Sequence, residues 1–532
     1  MGQKTLTTIA TLLLGLLSLY GASTTDPSAL AALQQGTDAL KANDFARARR
    51  IFAELIKQDP SATNYGYLGV AELSSGDAAH AITHFQRAEQ LGNDSSNLHY
   101  YLGAAYLQHQ EPEAAIRELK IALNRDPKLL QVNSPLGIAL LNTGRPKEAL
   151  PYLERAVTHS PQDAEVRASL VRAQFEAGDS RGALAGIDAA VDAIPENSRL
   201  DATLAFLCLH HRQAQKARQL LENASESNPQ DIDLKLLLAD ASVKAGEPLE
   251  ALAVLKGLPE NAGAPGELDF LKGNAYLLGG DTEKATPYLS TALKADPANA
   301  SYLFAYAGLE GTEQHYAQAL ETLTKARQAS PQTESLAYQM AVTYALMHRY
   351  PEALQACQET LRLTREPDEV YFLRGVIQLE QGEVRAAEGE LRQALERNPG
   401  VASYHAALGV VRLQAGDLRD ARTELDKALA LDRGVAPAYL WRARVKARQG
   451  DTSGALADYE AYAALAPDST KAFQELEVAY RQAGEADKAK AAHTKYIALK
   501  AEKGESDRDT SFLDQLWLAR LREGLEESES AR

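Results

Sequence analysis

One alanine recurs at a nearly constant interval along almost the whole chain. The first interval between these alanines is 33 residues, and the following twelve are all 34 residues. The fourteen positions are Ala48, Ala81, Ala115, Ala149, Ala183, Ala217, Ala251, Ala285, Ala319, Ala353, Ala387, Ala421, Ala455 and Ala489. A period of this length is typical of repeat architectures, in which each unit buries its apolar surface against its neighbours. The recurrence therefore predicts about fourteen similar repeats between residues 28 and 499.

Other residue types keep a fixed distance from the recurring alanine and indicate what each repeat forms. Glycine stands five residues before it in nine repeats, a second alanine often follows seven residues later, and proline often follows twelve residues later. Glycine accepts the left-handed conformation that ends a helix, alanines seven residues apart share a helix face, and proline stops a helix. Each repeat therefore predicts a helix, a tight turn, a second helix and a stop, and the whole chain is expected to be all-α.

Two repeats carry the fullest set of these signals. The second repeat has Tyr65, Leu68, Gly69, Gly76, Ala81, Phe85 and Ala88, and the third has Leu102, Gly103, Tyr106, Ala115, Leu119, Ala122 and Pro127. This pattern resembles the tetratricopeptide repeat, a 34-residue helix-turn-helix. The resemblance implies a right-handed superhelical solenoid of about fourteen such repeats, with a concave groove lined by the first helix of each pair.

An irregularity divides the predicted array into two arms. Repeats one to seven are expected in residues 28–266, and repeats eight to fourteen in residues 267–499. Pro259 interrupts the second helix of repeat seven, and the stretch Lys256–Glu267 contains three glycines and two prolines. Two interpretations stay open: a loop of unusual composition, or a joint that lets the two arms change their relative angle.

The C-terminal residues 500–532 are expected to form a capping helix and a disordered acidic tail. Apolar residues keep helical spacing there, at Phe512, Leu513, Leu516, Trp517 and Leu521. An open array needs its last apolar face covered, which predicts the capping role.

The N-terminus predicts export. Lys4 precedes the uncharged apolar run Leu6–Tyr20, and Gly21 and Ser23 then supply small residues at the spacing that a signal peptidase reads. Residues 1–23 are therefore expected to be a signal peptide, and the mature protein to be periplasmic or extracellular. The run is short for the roughly 20 residues that cross a bilayer, but an uncleaved N-terminal anchor remains an open alternative. No other segment is apolar enough to be a transmembrane helix.

The charge balance argues against nucleic acid as a partner. The chain has 56 basic and 72 acidic residues, a formal net charge of −16. It therefore lacks the positive field that binding to phosphate backbones requires.

One short motif suggests catalysis, but its context argues against it. The stretch Gly178–Gly182, GDSRG, fits the pattern that presents a nucleophilic serine between a strand and a helix in α/β hydrolases. Here Gly178 has the place of the turn glycine of repeat five, so Ser180 is expected to lie in a turn between two helices. With no catalytic constellation and no room for another domain, the chain is predicted not to be an enzyme.

Metal and thiol chemistry is also not expected. His80 and His84 have a spacing that can bind a metal, but the sequence supplies no further ligand nearby. Cys208 and Cys357 lie four repeats apart at core-facing positions, which predicts two buried free thiols. We expect neither a cofactor nor a metal.

A ladder of aromatic rings is the predicted ligand site. Fifteen residues before the recurring alanine, repeats eight to eleven carry Phe270, Phe304, Tyr338 and Phe372, whereas Leu236 and Ala406 have this place in the flanking repeats. By the resemblance, this place on the first helix faces the groove, so the rings are expected to be exposed along its wall. Gly308 and Gly311 lie four and seven residues after Phe304, which predicts a depression beside that ring.

The leading functional hypothesis is a non-catalytic scaffold that binds a peptide or a partner helix in this groove, outside the cytoplasm. The alternative is an accessory scaffold in cell-envelope assembly or polysaccharide export. That alternative rests on fold-level analogy alone.

Overall fold

In a computed structural model, residues 27–364 and 367–503 are described, and in these ranges the chain forms twenty-eight α-helices, one short 3-10 turn and no strand. In the first part of the chain the helices are α1 (Pro27–Lys41), α2 (Phe45–Gln58), α3 (Ala62–Ser74), α4 (Ala78–Gln90), α5 (Ser96–Gln108), α6 (Pro112–Arg125), α7 (Asn133–Asn142), α8 (Pro146–His159), α9 (Ala164–Glu176), α10 (Ser180–Ala193) and α11 (Ser198–His210). Next come α12 (Ala214–Ser227), α13 (Ile232–Lys244), α14 (Pro248–Leu255), α15 (Glu267–Leu278), α16 (Thr282–Ala295), α17 (Ala300–Thr312), α18 (Tyr316–Ala329), α19 (Glu334–Leu346) and α20 (Tyr350–Leu363). The last eight are α21 (Asp368–Glu380), α22 (Val384–Arg397), α23 (Ala402–Gln414), α24 (Leu418–Leu431), α25 (Ala436–Arg448), α26 (Thr452–Leu465), α27 (Thr470–Gln482) and α28 (Ala486–Lys503). Each predicted repeat is thus one odd-numbered and one even-numbered helix, which confirms the all-α repeat array.

Every repeat turns between its two helices through a residue in the left-handed conformation. The nine glycines that stand five residues before the recurring alanine all have positive φ, between 69° and 89°. In the other five repeats this place is held by Asn43, Gln110, Arg212, Gln314 and His348, with φ between 56° and 63°. The turn geometry is therefore constant, although the residue type is not.

The recurring alanines lie in the interior, as predicted. All fourteen are at most 4% exposed. Small residues on the first helix bring the two helices of a repeat still closer. A Cβ atom added at Gly69 would lie 2.7 Å from the Phe85 ring, and one at Gly103 would lie 2.5 Å from Leu119. Real Cβ atoms do not approach so closely, so glycine at this place is what allows the large side chain of the second helix to pack.

The described residues fall into two compact units, which divide between Leu207 and Cys208, inside α11. In the first unit consecutive helices from α1 to α10 pack on one another, and the odd-numbered helices of neighbouring repeats, from α1 to α9, also contact one another. Its core contains Phe52, Phe85, Leu119 and Leu153. The second unit follows the same plan, and its largest core cluster extends from Leu236 to Val445.

The irregular stretch between repeats seven and eight lies inside the second unit. Helix α14 ends at Leu255 and has only 8 residues, so the early stop predicted from Pro259 is confirmed. The stretch that follows is packed: Ala262 is buried, and the Tyr302 hydroxyl donates a hydrogen bond to the Pro265 carbonyl oxygen at 3.1 Å. The boundary between two arms at residues 266 and 267, and the proposed joint, stay predictions.

Two sequence predictions lie outside the described residues. These are the signal peptide in residues 1–23 and most of the predicted capping region, including Phe512 and Trp517.

Candidate binding groove

The serine of the GDSRG motif begins a helix. Helix α9 precedes the turn, and Ser180 is the first residue of α10. Gly178 has a φ of 87°, and the Asp179 side chain accepts a hydrogen bond from the Gly182 amide at 2.8 Å, which caps the helix. The turn between two helices is confirmed at Gly178, but Ser180, which was expected in the turn, is already part of α10. The strand that a nucleophile elbow needs is replaced by α9.

The thiols and the paired histidines also have structural roles. Cys208 and Cys357 are buried and free, as predicted, and burial raises the pKa of each thiol to about 12. His80 contacts Asp77, and His84 contacts Glu72 with 2.6 Å between Nδ1 and Oε2. Among residues 27–364 and 367–503, no group of three histidine, cysteine or acidic side chains is placed to hold a metal.

The aromatic ladder of the second unit is buried. Phe270 is 6% exposed, and Phe304, Tyr338 and Phe372 are at most 2% exposed. The prediction that these rings are exposed along a groove wall is therefore wrong, and Gly308 and Gly311 are buried as well. Binding of a ligand by these four rings and two glycines stays a prediction.

Two of these rings are each covered by a tyrosine of the next repeat. We call the place fifteen residues before the recurring alanine the ladder position, and each of these tyrosines stands two residues before it. The Phe270 ring packs on Tyr302 with 4.9 Å between centroids, and the Phe372 ring packs on Tyr404 with 4.7 Å. The same rings belong to one continuous apolar core. Neighbouring first helices thus approach closely enough to bury a ring at this place, which the spacing of the sequence could not reveal.

In repeat three of the first unit the equivalent place also holds a buried ring, Tyr100, but in repeat two it is open. In repeat two it is held by Gly66, and a Cβ atom added there would meet no atom within 4 Å. A depression of about 20 Å³ lies beside Gly66 on helices α3 and α5, with room for one methyl-sized or water-sized group. It is lined by Thr63, Gly66, Tyr67, Val70, Phe85, Asn93, Asn97, Leu98 and Tyr101.

The lining has an apolar floor and a polar rim. Tyr67 and Tyr101 each stack on a ring of the preceding repeat, Phe52 and Phe85, at centroid distances of 5.4 and 6.1 Å. These stacks pack the floor against the second helix of the preceding repeat. The half-buried side chains of Thr63 and Asn97 stand at the rim, one on each helix. An apolar floor with a few hydrogen-bonding groups at its edge is the usual composition of a binding pocket.

We call the surface that contains this depression the groove face. In each repeat the groove face has five residues. The central one stands fifteen residues before the recurring alanine, and the others stand three residues before and four, seven and eight residues after the central one. These spacings place all five on one side of a helix. Phe206 belongs to the groove face of repeat six, within the first unit, and its side chain is 61% exposed. It is the kind of exposed ring that was expected in the second unit.

Sequence reasoning missed both Gly66 and Phe206. In repeat two, glycine stands at the place that a ring holds in repeats eight to eleven, and in repeat six the ring is displaced from this place by one helical turn. A glycine at the groove-facing place, where the other repeats carry a side chain, is the signal that could have revealed the depression.

Within the described ranges, no helix combines the length and apolar character needed to cross a membrane.

Comparison with known proteins identifies the repeats. Two sequence profiles, each described as tetratricopeptide repeat, match the chain. One matches residues 140–206 and 209–268, and the other matches residues 33–97, 68–129, 270–334, 338–402, 372–436 and 406–470.

Individual relatives are distant. Superkiller complex protein 3 of Mus musculus is 27% identical over 163 residues, which are 30% of this chain and 10% of that protein. The chain thus spans about 10% of the length of this curated relative.

Solved structures that are similar to this chain also have low sequence identity to it. The APC/C hetero-tetramer Cut9-Hcn1 gives a TM-score of 0.44 at 16% identity, covering 89% of this chain and 98% of that one. Yeast Tom70 gives a TM-score of 0.38 at 18% identity, covering 91% of this chain and 98% of that one. MamA gives a TM-score of 0.29 at 22% identity, covering 31% of this chain and 91% of that one. The family assignment rests on the profiles. Because one of them alone matches more than half of its residues, the chain belongs to the tetratricopeptide repeat family.

Proposed function

We propose that this protein is a non-catalytic scaffold that binds a peptide or helix of a protein partner on the groove face of its first unit, outside the cytoplasm. Tetratricopeptide repeat proteins generally mediate protein–protein interactions. The observation that carries the proposal for this chain is the open depression beside Gly66, at the place where the second unit has buried rings.

Two features of the first unit support a docking role. The depression can accept one small apolar group of a partner, and Thr63 and Asn97 can hydrogen-bond to the partner's backbone beside it. Phe206 offers an exposed ring on the same face, and exposed aromatic rings are frequent anchors of protein interfaces.

The non-catalytic part of the proposal is supported by the roles of the reactive side chains. Ser180 begins a helix, and the two thiols are buried with a raised pKa, so none of them is poised for nucleophilic attack.

Export rests on the N-terminal sequence. N-terminal sequencing of the native protein is expected to begin at Thr24, after removal of residues 1–23. A full-length protein recovered from the cytoplasm would contradict this part of the proposal.

The docking role can be tested by filling the depression. Gly66→Leu places a side chain in open space, so the fold should survive while partner binding falls by at least about tenfold. Gly389→Leu is a matched control, because Gly389 also has no neighbour within 4 Å of an added Cβ but lies on the exposed side of α22. The readout is capture of a partner first identified by cross-linking in the extracytoplasmic fraction. Equal capture by the two variants would contradict the proposed groove.

A further inference from the structure

The groove face of repeats two to four contains no charged residue. We call these fifteen residues the uncharged wall: Thr63, Gly66, Val70, Leu73, Ser74, Asn97, Tyr100, Ala104, Leu107, Gln108, Gln131, Ser134, Ile138, Leu141 and Asn142. Charged residues make up 24% of the chain, and no other three consecutive repeats leave this face without charge. The wall ends at Lys41 in repeat one and at Glu165 and Arg172 in repeat five.

Much of the uncharged wall is accessible. Nine of its residues are half-buried, including Gly66, Asn97, Ser134 and Ile138, and Asn142 is exposed. The depression beside Gly66 lies on it. A partially exposed surface of small, apolar and amide side chains gives a charged ligand no counter-charge, and it penalises the burial of a charge. Its occupant should therefore be an uncharged apolar segment.

The chain carries such a segment next to this wall. Leu6–Tyr20 is fifteen residues long, contains no charge and lies outside the described residues. Six residues, 21–26, join it to the start of α1 at Pro27. A tether of six residues can span at most about 20 Å. Helix α1 contacts α3, which carries the first residues of the wall, so the tether joins the segment to the helix next to the wall.

The length of the segment also fits. Fifteen residues extend about 22 Å as a helix and more than that in extended form. Three neighbouring first helices at spacings of about 8–10 Å present a wall of similar length.

We propose that, in the uncleaved chain, Leu6–Tyr20 binds the uncharged wall as an intramolecular ligand and blocks the partner site until it is removed. This inference rests on the groove proposed above, and its regulatory meaning rests on cleavage after Ser23. The binding itself requires neither an identified partner nor export.

Site-specific photo-cross-linking in the full chain tests the contact. Asn97→p-benzoylphenylalanine places the probe at the rim of the depression, and Gly389→p-benzoylphenylalanine is the control on the exposed side of α22. Both uncleaved proteins are irradiated as an equal mixture of unlabelled and nitrogen-15-labelled chains, and the linked peptides are located by mass spectrometry. We expect links from residue 97 to residues 6–20 within one molecule, and no such links from residue 389.

Three results would overturn the proposal. The first is the absence of links between residue 97 and residues 6–20. The second is links between differently labelled chains only, which would make a second copy the occupant. The third is equal linking from residue 389, which would indicate non-specific adhesion of the apolar segment.

A charge variant tests whether the wall itself is responsible. Ser134→Glu places a carboxylate on the wall and should lower the yield of the link by at least about tenfold, whereas Ser134→Gln should keep it. Circular dichroism and urea unfolding confirm that both variants fold. An unchanged yield in folded Ser134→Glu would show that the segment does not bind the wall.

Partner capture separates this proposal from the function proposed above. The chain that begins at Thr24 should capture the partner, and the full chain should capture at least about tenfold less. Equal capture by the two would overturn the blocking role. If neither captures a partner while the link to residues 6–20 persists, the contact stands and the scaffold proposal fails.

Discussion

In every repeat, the turn between the two helices contains a residue with left-handed backbone conformation. In five repeats this residue is not glycine, and its Cβ makes the conformation unfavourable. A residue other than glycine costs about 1–2 kcal/mol in this region, because its Cβ crowds the following carbonyl oxygen. Gln110, with a φ of 63°, is such a residue in the turn between α5 and α6.

Replacing this glutamine should stabilise the protein. Gln110→Gly is expected to raise the free energy of unfolding by up to about 1 kcal/mol, since the relief of strain is partly offset by the greater freedom of glycine in the unfolded chain. Urea unfolding measures the change. The matched control is Gly144→Ala, which has open space around the added Cβ and a φ of 69°, and which should lose about 1 kcal/mol. Two changes of the same sign would contradict this reasoning.

His99 gives the first unit a specific pH dependence. Its side chain is 2% exposed, Nδ1 lies 2.7 Å from Glu118 Oε2, and Nε2 lies 2.9 Å from Asp94 Oδ1. Both partners are carboxylates, and only the doubly protonated imidazole can donate to both. Burial alone would lower the pKa of His99, but these hydrogen bonds outweigh it, so that the pKa is raised above its ordinary value of 6.5.

The direction of the stability change follows from this raised pKa. A group whose pKa is higher in the folded state stabilises the protein fully below its unfolded pKa, and this contribution is lost as the pH rises through the folded pKa. The free energy of unfolding should therefore decrease as the pH rises from 6.5 to values above the raised pKa of His99. His99→Gln should reduce this fall, whereas His159→Gln, at an exposed position at the end of α8, should keep it. Urea unfolding across this range is the measurement, and an equal pH dependence in both variants would contradict the role of His99.

The helices and their pairing could be predicted from the sequence, because each depends on a local rule repeated fourteen times. The turn glycines, the buried alanines and the early end of α14 were all read from spacing. The exposure of the groove face could not be predicted in this way. It depends on how closely neighbouring first helices approach. The buried contact between the rings of Phe270 and Tyr302 joins two repeats, and spacing within one repeat does not encode it.

The packing of one helix pair can be tested separately. Ala149 on α8 is fully buried, so Ala149→Trp overpacks its site and should cost at least about 1–3 kcal/mol. In a repeat array each repeat contacts only its neighbours, so hydrogen exchange should accelerate in α7, α8 and α9 and stay unchanged in α17 to α22. Glu154→Trp, on the exposed side of α8, is the control and should change little. A uniform acceleration along the chain would contradict local packing.

The two compact units use the same repeat for different groove faces. In the second unit, rings at the ladder position are buried in a continuous core. In repeats two to four of the first unit, Gly66, Tyr100 and Ser134 hold this position, and only Tyr100 is a buried ring. Phe206 stands exposed on the same face, and the wall of repeats two to four carries no charge. This difference leads us to place partner binding on the first unit.

Hydrogen exchange of the protein with its captured partner can locate the binding surface. The chain beginning at Thr24 is measured by mass spectrometry alone and with the partner identified by cross-linking. We predict slower exchange in α3, α5 and α7, the first helices of repeats two to four, with little change in the second helices of these repeats. Slower exchange confined to the second helices, or to residues 208–503, would contradict a partner site on the groove face of the first unit.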